Sequence, residues 1–259
     1  MDKIFHYGQY YDNKEMRKIV KEYYEEVFSK NSNRHMQMQK LFPSDLSNTS
    51  KILDYGCGMG GVSHLFSKKY NCNVDGVEIS KNELLKALSL YDGDSNINFM
   101  LLDEFTFPKN HYDLIFSSQV IEHIHNPGNY LSKINSMLKD DGYLLIGLPN
   151  IVNIHYMSNL AFFSQKRALK HSQNMLSNYN KASNHINGWD PTHFITLLAS
   201  CGFELVEYLP TEGTPLSFFL QKIPILGKYI FKIPLNTKLS YTMFFLVQKR
   251  FDIDIKKDD

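Results

Sequence analysis

The stretch Lys51-Ile-Leu-Asp-Tyr-Gly-Cys-Gly-Met-Gly-Gly61 constrains this chain more than any other. Ile52 and Leu53 read as the end of a buried strand. Gly56, Gly58, Gly60 and Gly61 follow, and Val62, His64, Leu65 and Phe66 then open a helical pattern. A strand, a glycine turn and a helix in that order form the ligand-binding corner of an open α/β sheet. The glycines keep side chains away from a ligand that must approach the backbone. The helix N-terminus adds unbonded N–H groups and a partial positive charge. Everything downstream is then read as one doubly wound domain built on this turn.

Gly56, Gly58 and Gly61 also satisfy the G-x-G-x-x-G spacing of a dinucleotide fold, so the glycines alone do not choose the ligand. Asp54 shifts the choice. A carboxylate two residues before the first glycine repels a pyrophosphate and suits a ligand with an ammonium group and a sulfonium centre. Ile-Leu-Asp-Tyr-Gly-Cys-Gly-Met-Gly closely resembles the first motif of class I S-adenosylmethionine (SAM)-dependent methyltransferases. The resemblance implies a Rossmann-like α/β fold: a doubly wound sheet of seven strands, the last antiparallel. It also implies SAM as cofactor, S-adenosylhomocysteine as product, and Asp54, Gly56, Cys57 and Gly58 among the cofactor-binding residues.

Length and composition agree with a single enlarged domain. The 259 residues are 43% hydrophobic and 21% charged, enough apolar material for a core and no sign of global disorder. A net charge of +1 argues against a general nucleic-acid binder, which needs a basic excess. Cys57, Cys72 and Cys201 are scattered without metal-ligand spacing, so they read as free thiols in a reducing compartment, and no metal is expected. No apolar region follows the N-terminal charges as in a signal peptide, and no stretch is long and apolar enough to span a bilayer. The expectation is a cytoplasmic protein without stable membrane insertion.

Residues 1–45 are expected to form an N-terminal helical cap ahead of a methyltransferase domain over 46–259. Met16, Ile19, Val20, Tyr23, Tyr24, Val27 and Phe28 fall at helical spacing, behind the aromatic cluster Phe5, His6, Tyr7, Tyr10 and Tyr11. That cluster either folds over the cofactor as a lid or simply docks on the core. Asn73–Glu78 reads as the second strand. Glu78 sits roughly twenty residues past the glycines, where a strand-end carboxylate can accept both ribose hydroxyls; Ile79 follows it beside the cofactor. Ser80 caps a helix carrying Leu84, Leu85, Leu88 and Leu90.

Ile97–Leu102 is the third strand, ending in Asp103 and Glu104. In the family pattern an acidic residue here bonds the adenine amino group, and Asp103 matches. Tyr112–Ile124 supplies the fourth strand and its loop. It resembles the Tyr-Asp and Glu-His segments of ubiquinone-type and sugar-modifying O-methyltransferases. Ser117, Ser118 and Gln119 fall where acceptor meets methyl donor, with Ser118 assigned to the cofactor side. Asn126-Pro127 starts the next helix, and Asp141-Gly142 turns into a fifth strand over 143–148. Residues 151–189 and 211–238 interrupt the alternation as substrate-side insertions. The second is rich in Phe, Leu, Ile, Pro and Lys and is read as a lid or homodimer face, with a membrane-surface contact as a minor option. Asp190-Pro191 caps another helix, and two further strands follow.

Methyl transfer from a sulfonium is an in-line displacement that needs no metal, only an acceptor held in place and, for a hydroxyl, a base. His123 is the first candidate base and His185, from the first insertion, the second; each can equally be a packing or loop histidine. The expected acceptor is an oxygen of a small molecule. By family analogy it is a sugar, sugar nucleotide or phosphorylated precursor of a bacterial surface polysaccharide, with a quinone-like phenol as rival. A non-catalytic SAM-binding protein keeps the same cofactor motifs. A nicotinamide dehydrogenase would leave Asp54 and Asp103 without a role.

Overall fold

The computed structural model describes residues 37–91, 93–177, 185–211 and 240–253. The helical pattern expected over Met16–Phe28, the aromatic cluster Phe5–Tyr11 and all but Thr211 of the 211–238 insertion lie outside the described residues. Seven strands form one sheet: β1 (Lys51–Tyr55), β2 (Asn73–Glu78), β3 (Ile97–Leu101), β4 (Tyr112–Ser118), β5 (Leu138–Pro149), β6 (Phe203–Thr211) and β7 (Thr242–Lys249). Their order is β3-β2-β1-β4-β5-β7-β6. The first five pair in parallel, and β7 inserts antiparallel between β5 and β6. The order reverses beside β1, between β1 and β4, which is where open α/β sheets bind ligands.

Four helices pack on the sheet, α1 (Gly61–Tyr70), α2 (Lys81–Leu90), α3 (Pro127–Met137) and α6 (Pro191–Ser200), while α4 (Ile154–Ala161) and α5 (Gln165–Ser177) belong to the first insertion. Because side chains alternate along a strand, Ile52 and Leu53 enter different cores. Ile52 packs with Phe66, Val74, Leu114 and Phe116. Leu53 packs with Ile115, Leu131, Ile134 and Phe194. Both faces are buried, so the central strands are continuous apolar runs rather than alternating ones. Met38, Leu41 and Phe42 join the Ile52 core, so the chain is already seated on the sheet before β1 begins.

The caps follow the residues that announce them. Ser80 Oγ accepts from Glu83 N–H, Asn126 Oδ1 from Asn129 N–H, and Asp190 Oδ1 from the N–H groups of Thr192 and His193. Pro127 and Pro191 occupy first-turn positions that need no donor. In α2 only Glu83, Leu84 and Ala87 are buried, while Leu85, Leu88 and Leu90 face outward. β5 starts at Leu138 rather than 143, because Asp141 takes a left-handed backbone (φ 60°) and a register shift opposite β4 absorbs the turn. The three cysteines are free and buried. Among the described residues, no helix is long and apolar enough to cross a membrane.

Candidate active site

The glycine turn is held in place by β2. Gly56 and Cys57 both donate N–H to the Val77 carbonyl, at 2.8 and 3.0 Å. Gly56, Gly58 and Gly60 have φ of 88°, 54° and 78°, a region that side chains rarely enter. A Cβ at Gly56 would lie 2.5 Å from Val120, and one at Gly60 2.3 Å from the Phe99 ring. At Gly58 it would meet nothing within 4 Å. Two of the glycines therefore serve packing, and Gly58 borders open space.

Two buried carboxylates lie beside the turn, and both act on the Cys57 thiol. Asp54, on the penultimate position of β1 and 1% exposed, accepts a 2.7 Å hydrogen bond from Ser63 Oγ in the first turn of α1. Burial pushes its carboxyl up to about 7; the Ser63 bond opposes this and Glu78 adds to it. Glu78 closes β2. Its Oε2 accepts from Gly58 N–H (2.8 Å), and its Oε1 from Ile79 (2.8 Å) and Ser80 (2.9 Å) N–H. Burial raises the Glu78 carboxyl while these three bonds draw it back. Cys57 lies in the same field, its thiol pushed well up by burial and by both carboxylates. It stays a neutral filler of the turn rather than a nucleophile.

Along the neighbouring edge, Leu101 pairs with Glu78. Asp103 and Glu104 follow on an exposed 3-10 turn over Leu102–Glu104, and Ile79 presents an exposed apolar side chain at the same corner. Ser118 ends β4, half-buried, beside Gly147 of β5, where a Cβ would come within 2.8 Å of its Oγ. Ser117 is buried and pairs with the Tyr130 hydroxyl at 2.7 Å; Tyr130 stacks on Tyr55. Gln119 (φ 59°) turns the chain out of the sheet, its N–H on the Gly147 carbonyl.

That turn leads into a 3-10 segment, Ile121–His123. The Glu122 carbonyl accepts from the N–H groups of both Ile186 and Asn187, and Asn187 Nδ2 donates to the Ile124 carbonyl. The end of the first insertion is thereby fastened over the loop after β4. His123 and His185 meet there, ring centroids 5.0 Å apart and planes at 76°. Burial lowers the His185 imidazolium, favouring its neutral form. Ligand-type atoms of Glu122, His123 and His185 all lie within 4.8 Å of one another.

The structure thus brings Asp54, Gly58 and Glu78 to one corner, Ile79, Asp103 and Glu104 to its rim, Ser118 to the end of the neighbouring strand, and His123 to His185. Sequence reasoning missed Ser63, Glu122 and Tyr130. Ser63 carried a usable signal, since a hydroxyl in the first turn after the glycines faces back to the strand end. The residues fit SAM by their own chemistry: buried carboxylates for an ammonium and for ribose hydroxyls, and an unobstructed glycine beside them.

A seven-stranded sheet with this order and one antiparallel insertion, carrying acids at the ends of β1 and β2, defines a class I methyltransferase domain. The sequence profile of the methyltransferase-domain family matches residues 10–208, and the chain belongs to that family, among the class I SAM-dependent methyltransferases. It is 34% identical over 131 residues to phosphoethanolamine N-methyltransferase of Plasmodium falciparum, covering 48% of this chain and 49% of that protein. It is 29% identical over 97 residues to 2-methyl-6-phytyl-1,4-hydroquinone methyltransferase of Synechocystis, covering 37% and 30%. The chain thus spans half the length or less of these relatives. The fold also matches Haemonchus contortus phosphoethanolamine N-methyltransferase 2, solved with S-adenosyl-L-methionine. That match has TM-score 0.67 and 19% identity, covering 96% of this chain and 61% of that one.

Proposed function

We propose that this chain transfers a methyl group from SAM to a small-molecule acceptor held over the C-terminal ends of β4 and β5. The observation that carries the reading is the open space at Gly58, in a glycine turn with two buried carboxylates, Asp54 and Glu78, at the ends of β1 and β2 beside it. Such acids repel a pyrophosphate and favour a ligand with a cationic amino-acid end and a free ribose, which disfavours a nicotinamide cofactor. When bound, SAM supplies an electrophilic methyl on a sulfonium. Asp54 would hold the ammonium, Glu78 would accept from the ribose hydroxyls, and Ile79, Asp103 and Glu104 would border the adenine.

The acceptor lies against Ser118 and beneath His123 and His185. A neutral imidazole there receives the proton that an hydroxyl or ammonium acceptor must lose, and the stapled 185–189 segment limits access of water. The relatives' names point to a phosphorylated amine and to a quinol. The polysaccharide-precursor acceptor expected from the sequence draws no support from them, so a sugar or sugar nucleotide becomes one member of a panel rather than the leading choice.

The test is calorimetric titration with S-adenosylhomocysteine, with NAD as control, followed by turnover on phosphoethanolamine, a hydroquinone and sugar nucleotides. Micromolar binding of S-adenosylhomocysteine without NAD binding is expected, with turnover on one acceptor class. Binding without any turnover would favour a non-catalytic SAM-binding protein; binding of neither would reduce the reading to a resemblance of fold.

A further inference from the structure

Residues 151–189 contain no aspartate or glutamate, whereas Lys166, Arg167, Lys170 and Lys181 give them +4. The whole chain carries +1, so the remainder carries −3. This is a sharp local asymmetry in a nearly neutral protein. It coincides with unpacked structure, since α5 has no buried residue. Ala168, Leu169, Ser172, Met175 and Leu176 recur at helical spacing on one side of α5, and Lys166, Arg167, Lys170 and His171 occupy the other. Leu169 is 61% exposed and Leu176 77%. Between α4 and α5, Phe162 and Phe163 are 79% and 50% exposed, and Tyr156 and Met157 of α4 also face outward. A single exposed leucine needs no explanation; a helix with no buried residue beside two exposed phenylalanines does.

We propose that the α4–α5 segment docks on the surface of an anionic lipid bilayer. The Phe162-Phe163 junction and the Leu169–Leu176 face enter the acyl boundary, and the Lys/Arg face meets the headgroups. Charge selects this occupant. A second copy of the chain in a symmetric contact would set Lys166, Arg167 and Lys170 against the same cationic patch, with no carboxylate in the segment to pair them. The location also suits it. The segment leaves the sheet at Asn150, which bridges to Trp189, and returns through Ile186 and Asn187 to Glu122. Its two ends therefore frame the candidate acceptor site, and a lipid-borne acceptor would reach that site directly from the bilayer. The docking goes beyond the methyl-transfer reading and stands without it.

The test is co-sedimentation of the full chain with phosphatidylcholine vesicles, with and without phosphatidylglycerol. Binding to the anionic vesicles, about tenfold tighter than to the zwitterionic ones and weakened by salt, is expected. Phe162→Asp with Phe163→Asp should lower it about tenfold or more, as should Lys166→Glu with Arg167→Glu and Lys170→Glu. Each variant should bind S-adenosylhomocysteine as the parent does, which shows that the fold is intact. No sedimentation, equal affinity for both vesicles, or binding that neither variant changes overturns the proposal. So does a size-exclusion shift on mutation without vesicle binding, which assigns the face to a protein contact. Vesicle binding without S-adenosylhomocysteine binding would remove the methyl-transfer reading and leave this one standing.

Discussion

The N–H of Gly58 donates to Glu78 Oε2 at 2.8 Å, tying the glycine turn to the end of β2 across twenty residues of sequence. One carboxylate thus fixes the turn and offers its remaining lone-pair capacity to a ligand. Glu78→Ala strips the acceptor from three backbone N–H groups. Since a bond to a charged group contributes about 1.5–3 kcal/mol, the expected result is a lower melting temperature and affinity for S-adenosylhomocysteine reduced about 10- to 100-fold. Glu78→Gln, which keeps one acceptor oxygen, should fall between. Thermal melts and calorimetry on both variants check this; a lower melting temperature with unchanged affinity would make Glu78 a clamp on the loop and nothing more.

The glycines separate by what surrounds them. Gly56→Ala and Gly60→Ala drive a methyl to within 2.5 Å of Val120 and 2.3 Å of Phe99, so both should destabilise the protein by about 2 kcal/mol or more. Gly58→Ala meets open space and should cost only about 1 kcal/mol for its left-handed backbone. It should nevertheless abolish measurable cofactor binding, because the methyl occupies the space the ligand needs. Denaturant melts paired with calorimetry distinguish the two behaviours.

The local parts of this fold were legible in the sequence, and the long-range parts were not. Asp190-Pro191, Asn126-Pro127 and Ser80 announce their helices because a cap acts on residues two or three positions away. Glu78 could be placed because one βαβ unit fixes the distance from glycine turn to strand end. Leu85, Leu88 and Leu90 face outward in α2, and helical spacing alone does not say how wide a buried face is. The meeting of His123 with His185 depends on Ile186 and Asn187 bonding to Glu122, a backbone contact more than sixty residues apart that leaves no periodic trace.

Asp54 makes the cofactor corner sensitive to pH. Its folded carboxyl titrates at about 7 against an ordinary 3.8. The folded chain therefore keeps a proton that the unfolded chain has released. This contribution to stability is complete below about pH 4 and is lost as pH rises towards 7, on the order of 4 kcal/mol for this group. Ligand-free protein should melt at progressively lower temperature across that window, and Asp54→Asn should flatten the profile. Affinity for a cationic ligand runs the other way, rising as Asp54 ionises through pH 7. Calorimetry of S-adenosylhomocysteine from pH 6 to 8 should show tighter binding at the upper end in the parent and little slope in Asp54→Asn.

His123 and His185 stand edge to face with centroids 5.0 Å apart, so they should act as one unit on the acceptor. Once an acceptor is known, His123→Ala and His185→Ala should each lower kcat about 100-fold or more while leaving S-adenosylhomocysteine affinity nearly unchanged. The double variant should be little worse than the worse single one, as expected for groups serving the same proton. A chelator separates proton transfer from the other chemistry open to this trio. If an imidazole takes the acceptor proton, turnover persists in EDTA. If activity is lost in EDTA and restored by a divalent cation, Glu122, His123 and His185 hold that cation through donor atoms lying within 4.8 Å of one another. The imidazoles are then ligands, and the role of base passes to another group.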